Sequence, residues 1–167
     1  MEDLGSMTLA ETFARRDATE ESVASAIGRL VLAYARLNSA LHYCVAWHND
    51  GAELDSYGNR AEDLSVAELI SKTDAQAKSR YGSTSDAYLQ YRTWASKAHA
   101  TRELRNLIMH SRWGIESFGR HAIAISTPPF VEPMREHVIS TEELEAARRT
   151  CIDLASELGK LRDKYPL

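Results

Sequence analysis

Apolar residues recur at steps of three and four along three long stretches of the chain, and this periodicity constrains the fold more than any other feature. A repeat of this kind places one apolar stripe along an α-helix, and that stripe has to pack against a core. The spacing predicts long helices from Thr19 to about His48, from Ser85 or Asp86 to His110, and from Ser140 to the closing "KYPL". The predicted stripes are Val23, Ile27, Leu30, Val31, Tyr34, Leu37, Leu41, Cys44 and Val45; Tyr91, Trp94, Ala98, Thr101, Leu104 and Ile108; and Leu144, Ala147, Cys151, Leu154, Leu158 and Leu161.

Capping signals mark where two of the helices begin. Ser65-Val-Ala-Glu and Ser140-Thr-Glu-Glu both have the capping-box pattern, in which a serine and a glutamate three positions later satisfy each other's backbone amides. The first box opens a short helix that is expected to reach about Ala77. Gly114 is expected to end the long helix that runs to His110, at or just past its C-cap.

A short segment between the last two long helices has a different pattern. "HAIAIS" alternates apolar and polar residues, which is typical of a strand, with "FGR" available as a turn and Pro128-Pro129 as its end. The sequence therefore predicts an all-α protein, an antiparallel bundle of four to five helices with a small β-hairpin before the last helix. We expect residues 1–18 to form a flexible N-terminal segment, of which 1–6 look like an added leader, and 19–167 to form a single helical domain.

Composition and charge exclude several classes of function. The 167 residues are 44% hydrophobic and 26% charged with a net charge of -4, which is typical of a water-soluble domain and unfavourable for coating nucleic acid nonspecifically. No apolar run is long enough to span a membrane, so we expect a cytoplasmic protein without membrane contact. Cys44 and Cys151 are expected to be buried free thiols, and the sequence has no metal-ligand spacing, so neither a metal nor a cofactor is predicted.

The positive charge is concentrated around one helix end, "RELRNLIMHSRWG", residues 102–114. Five cations and one carboxylate lie between Arg92 and Arg112. With Leu104 taken as the reference for the core stripe, Arg105, Asn106 and His110 fall on the side away from the core. Asn106 and His110 are one turn apart, whereas Arg105 and His110 are separated by about 140° around the axis. A second copy of this face, with Met109 in the contact, would bring both pairs into one cleft.

These residues carry a resemblance to a known superfamily. Arg105-Asn106-Leu107-Ile108-Met109-His110 resembles the Arg-polar-x-x-x-His motif of the HEPN superfamily, and its position near the end of the penultimate long helix is similar as well. "RNLIMHSRW" is especially similar to a group of uncharacterised bacterial members whose motif helix is followed by a short β excursion and a closing helix. The resemblance covers roughly residues 19–165.

The resemblance implies a metal-independent endoribonuclease that works as a homodimer through the Arg105/His110 face. His110 would act as general base or acid, Arg105 would hold the scissile phosphate, and Asn106 would orient His110 or the phosphate. Arg102 and Arg112 match no position of the motif, but their positive charge would help to bind RNA. Trp113 lies beside the motif and would either stack on the RNA or pack under the hairpin. Such a protein would belong to a toxin–antitoxin or phage-defence pair, with an antitoxin or regulatory protein as partner. The alternative is a catalytically inactive HEPN-like bundle that binds a nucleotide or a protein through the same face.

Overall fold

The computed structural model describes residues 7–52, 54–55, 64–116, 121–126, 133 and 135–167. The described part is mostly helical, with four α-helices and a three-stranded antiparallel sheet before the last helix. The helices are α1 (Leu9–Ala46), α2 (Val66–Tyr81), α3 (Asp86–His110) and α4 (Thr141–Lys164), and a 3₁₀ turn (His48–Gly51) follows α1. The strands are β1 (Arg112–Ile115), β2 (Ala122–Ile125) and β3 (Glu136–Ile139), in the order β1-β2-β3.

Both predicted capping boxes are confirmed. The Ser65 side chain accepts a hydrogen bond from the Glu68 amide, and the Ser65 amide donates to the Glu68 carboxylate at 2.7 Å. Ser140 and Glu143 exchange the same pair of bonds at 3.1 and 2.8 Å. The hydrogen bonds from Ser65 hold the pKa of Glu68 below its ordinary value. The helix that opens at Ser65 is longer than expected, since it ends at Tyr81 rather than Ala77.

The expected start of the first helix at Thr19 is wrong, because α1 begins ten residues earlier, at Leu9. A third capping box explains the earlier start: the Glu11 carboxylate accepts from the Thr8 amide at 2.8 Å, and the Glu11 amide donates to the Thr8 hydroxyl at 3.2 Å. Residues 9–18 are therefore helical.

The chain divides into two compact units, the first comprising Met1–Leu30 and Arg105–Ala146, the second Val31–Leu104 and Ala147–Leu167. The assignment of 19–167 to a single domain stays a prediction. The second unit has an apolar core to which all four helices contribute: Leu37, Leu41, Cys44, Val45, Leu69, Ile70, Ala77, Tyr88, Tyr91, Trp94, Ala95, Ala98, Leu154, Leu158, Leu161 and Leu167. The Trp94 indole donates to the Leu154 carbonyl at 2.9 Å, so the largest core side chain also has its polar group satisfied.

The sheet belongs to the first unit and has one buried and one exposed face. Trp113 pairs with Ala124 and Ile115 with Ala122, and β2 pairs with β3 so that Ala122 lies opposite Ile139. The predicted strand at "HAIAIS" is present, with a partner on each side rather than in a single hairpin. The predicted "FGR" turn and Pro128-Pro129 lie outside the described residues.

Gly114 does not cap α3, which corrects the expectation from sequence. The helix ends at His110, and Gly114 is a residue of β1 paired with Ile123. The helix can end before Gly114 because side chains rather than a glycine satisfy its terminal carbonyls.

Candidate functional site

The C-terminal end of α3, where the motif residues lie, is closed by two side chains from the segment that follows. The Ser111 hydroxyl donates to the Leu107 carbonyl at 2.6 Å, and the Trp113 indole donates to the Ile108 carbonyl at 2.8 Å. Carbonyls of the last helical turn have no partner within the helix, so these bonds replace a glycine cap. They also fix the path from α3 into β1.

The prediction that Leu104 belongs to the buried stripe of α3 is wrong. Leu104 is 40% exposed, whereas Ile108 is 2% exposed. The alternating three- and four-residue steps of the stripe run through Thr101 to Arg105 and then to Ile108, so Arg105 rather than Leu104 occupies the stripe position. The side chain of Arg105 is half-buried, which corrects its expected place on the side away from the core.

Arg105 and Asn106 form a hydrogen-bonded pair. The guanidinium Nη1 of Arg105 donates to Oδ1 of Asn106 at 3.2 Å, and both residues are half-buried. The Asn106 side chain thus bonds to the neighbouring arginine and not to His110, which was one of its two expected partners; the other, the phosphate of an RNA, stays a prediction. This contact holds the amide of Asn106 beside the cationic group.

His110 is exposed at the last position of α3, and its side chain makes no hydrogen bond to any residue that the structure describes. Its neighbour Met109 is 39% exposed. One helical turn separates His110 from Asn106, whereas Arg105 is on the buried side of the same helix. A single copy therefore does not focus the arginine and the histidine on one point.

The three residues expected to help bind RNA lie in different environments. Arg102 belongs to the second unit, where its guanidinium is 3.7 Å from the Glu103 carboxylate and its Nε is buried with no hydrogen-bond partner among the described residues. Arg112 is exposed at the start of β1. Trp113 is half-buried on the opposite face of that strand, with its N–H already bonded to Ile108.

Trp113 also lines a groove between α1 and β1, all within the first unit, besides bonding to the end of α3. The groove has a volume of about 530 Å³, with Trp113, Gly114 and Ile115 from the strand on one side. Arg16 and Glu20 lie at its polar edge, and Val23 and Ile27 are among its apolar residues. Sequence reasoning missed this groove because it treated the residues before Thr19 as an unstructured segment. The Thr8–Glu11 capping box was the signal that could have revealed the helical start of α1, although not the groove itself.

A hydroxyl–imidazole contact in the sheet region was also not anticipated. Ser126 Oγ lies 3.2 Å from His137 Nε2, just after β2 and within β3. The described residues contain no group of three or more His, Cys, Asp or Glu side chains that could hold a metal ion.

Both cysteines carry free thiols, as predicted, and both are buried in the second unit. Burial raises the pKa of Cys151 to about 11 and also raises that of Cys44. Thiol chemistry is disfavoured at both positions because the reactive species is the thiolate. Among the described residues, no helix is long and apolar enough to cross a bilayer.

Comparison of the sequence and the structure with known proteins identifies no relative of this chain. No family model matches the chain, and neither a curated protein nor a solved structure is significantly similar to it.

Proposed function

We propose that this chain is a HEPN-like, metal-independent endoribonuclease that acts as a homodimer. The observation that carries the proposal is the arrangement at the end of α3: an exposed His110 follows by one turn the hydrogen-bonded, half-buried pair Arg105–Asn106. The exposed imidazole can exchange a proton with a ligand, and the arginine of a second copy would supply positive charge beside it. The helical composition with a small sheet before the last helix fits an antiparallel bundle of the expected kind.

In the proposed reaction His110 accepts the proton of a ribose 2′-hydroxyl as that oxygen attacks the adjacent phosphorus. The bond from phosphorus to the 5′-oxygen breaks, and a second histidine donates the proton that the leaving oxygen needs. Arg105 stabilises the charge that develops on the phosphoryl oxygens. The products are a 2′,3′-cyclic phosphate and a 5′-hydroxyl end. DNA is not cleaved, because it lacks the attacking hydroxyl.

The separation of Arg105 and His110 by about 140° around one helix supports the proposal of a dimer. Two copies related by a two-fold axis would place the His110 of one beside the Arg105 of the other. Met109 is exposed between them on this face and would be buried in the contact. An antitoxin or regulatory protein could occupy the same face and so prevent dimer formation or RNA entry.

RNA binding would extend from the motif onto the neighbouring strand. Arg112 is exposed at the start of β1, and Trp113 lines the α1–β1 groove together with Arg16. An aromatic ring and a cation in one groove are the groups that bind a base and a backbone phosphate. The net charge of -4 favours a restricted RNA target over long-range electrostatic capture.

The test is cleavage of mixed single-stranded RNA by the purified protein in EDTA, compared with R105A, H110A and the control variant H99A. His99 lies on the same helix outside the motif, so H99A reports general effects of removing an imidazole. We expect cleavage with 2′,3′-cyclic phosphate ends by wild type and H99A, and a loss of at least about 100-fold in R105A and H110A. Equal rates in wild type and H110A would refute catalysis by this histidine.

One observation favours a second candidate function. The half-burial of Arg105 and its bond to Asn106 suit a non-catalytic bundle that binds a nucleotide or a protein partner through this face. In that case RNA would remain intact in the same assay, while R105A would weaken RNA or partner binding in a filter-retention measurement.

A further inference from the structure

A separate pocket lies in the second unit, between α1 and α4. Its volume is about 460 Å³, within the range of pockets that hold small molecules. The pocket is lined by two aromatic side chains and one cation, those of Tyr43, Trp47 and Arg162. The other lining residues are small or apolar: Ala40, Ala155, Leu158 and Gly159. None of these residues takes part in the ribonuclease proposal, so the two ideas stand or fall independently.

Two aromatic side chains of this pocket are exposed to solvent. Tyr43 is 64% exposed and Trp47 is 48% exposed, and their spacing of four places them on the same face of the chain at the end of α1. The indole of Trp47 also packs against the backbone of Gly51, since a Cβ added to Gly51 would lie 3.1 Å from Cε3 of the indole. The 3₁₀ turn therefore covers part of one ring and leaves the rest available for stacking.

Arg162 is half-buried in the pocket wall, where its side chain forms no hydrogen bond or ion pair with any residue that the structure describes. The residues one turn before it on α4 are Leu158 and Gly159, and Tyr165 and Pro166 follow the end of the helix, so none of these four positions offers a carboxylate side chain. Burial raises the pKa of Cys44 and of Tyr91, and the positive charge of Arg162 lowers both. The charge of Arg162 is therefore felt by the buried groups behind the pocket. A partly desolvated guanidinium without a counter-ion is a ready partner for an anion.

Gly159 is an exposed part of the pocket lining and leaves that side of the pocket open. A Cβ built at this position would meet no atom within 4 Å, so a side chain there would point into empty space. Glycine in a helix interior costs about 1 kcal/mol relative to alanine. The local helix is thus less stable than it could be, and the pocket is correspondingly wider.

We propose that this pocket binds a nucleoside monophosphate, with the base on the Tyr43–Trp47 surface and the phosphate on Arg162. Stacking on aromatic rings accommodates any base, and the guanidinium fork matches phosphate oxygens in pairs. An apolar ligand would leave Arg162 uncompensated, and a free inorganic anion would leave the aromatic surface exposed. The combination of rings, one cation and an open apolar side selects a ligand that is aromatic at one end and anionic at the other.

The experiment is a titration of the full chain with AMP, followed by two-dimensional ¹H–¹⁵N NMR. The chain has three tryptophans, so three indole signals report separately, and W47F assigns the one of interest. We expect the Trp47 indole to shift saturably with a Kd of about 1 mM or tighter, while the signal of buried Trp94 stays in place. Adenosine and inorganic phosphate should each bind at least about 10-fold more weakly than AMP.

Two variants complete the test. R162Q should weaken AMP binding by at least about 10-fold, because it removes the charge and keeps much of the side-chain length. G159L should abolish binding by filling the pocket while the helix becomes more stable, so loss of binding cannot be ascribed to unfolding. A Trp47 signal that does not respond to AMP, or equal affinity in wild type and R162Q, would overturn the proposal.

Discussion

Three glycines isolate the energetic effect of backbone conformation from that of packing. Gly28, Gly82 and Gly159 share one property: a Cβ added at any of them would have no atom within 4 Å. Gly28 lies within α1 and Gly159 within α4, whereas Gly82 follows α2 with φ 79° and ψ 155°. Substitution by alanine therefore introduces no clash at any site, and only the backbone angles differ.

The expected effects have opposite signs. Alanine in place of Gly28 or Gly159 should raise the free energy of unfolding by about 1 kcal/mol each, the difference in helix propensity. Alanine in place of Gly82 should lower it by about 1–3 kcal/mol, since that region of φ and ψ is populated almost only by glycine. For a chain of this size, each kcal/mol corresponds to about 2–4 °C in Tm.

Urea unfolding monitored by circular dichroism at 222 nm measures these changes, with equal m-values as the check that the unfolded state is comparable. G28A and G159A act as matched stabilising variants in different helices, and G82A as their contrast. If G82A were as stable as wild type, the backbone argument would fail. If G159A were destabilising, the open space above Gly159, on which the pocket proposal also depends, would be wrong.

Two further effects follow from particular hydrogen bonds and from burial. S140A should lower the free energy of unfolding by about 1 kcal/mol because the Glu143 amide loses its cap, with S140T as a control that retains it; no loss in S140A would contradict the capping assignment. The Cys151 thiol has a pKa raised from 9.0 to about 11, so its contribution to stability is complete below pH 9 and is lost as the pH rises from 9 to 11. Wild type should therefore lose about 1 kcal/mol more than C151A between pH 8.5 and pH 10 in urea titrations, and identical pH dependence would argue against this origin.

The parts of the fold that could be predicted from sequence are those determined by local chemistry. Apolar periodicity located the core stripes of α1 and α4, and paired serine and glutamate side chains located two helix starts. The same rule, applied at Thr8 and Glu11, would have located the start of α1. Strands of four residues were harder, because only β2 shows clear alternation and its two partners are recognised only by pairing.

The candidate site was predicted less completely, for a reason visible at Arg105. Periodicity assigned the buried position to the nearest apolar residue, Leu104, although an unbroken repeat continues through the arginine. A long side chain can cover apolar surface with its methylene groups and still direct its charge elsewhere. The groove beside Trp113 and the pocket beside Arg162 combine residues distant in sequence, and no local pattern indicates that they meet.

The bonds from Ser111 and Trp113 to the end of α3 have a dynamic consequence. The last turn of a helix ordinarily frays on its own, at little cost in free energy. Here, opening the turn that carries His110 would also break the indole bond of a β1 residue, so the helix end and the edge strand open as one cooperative unit. The rate at which the Trp113 indole proton exchanges with solvent should then report the lifetime of the position that His110 occupies.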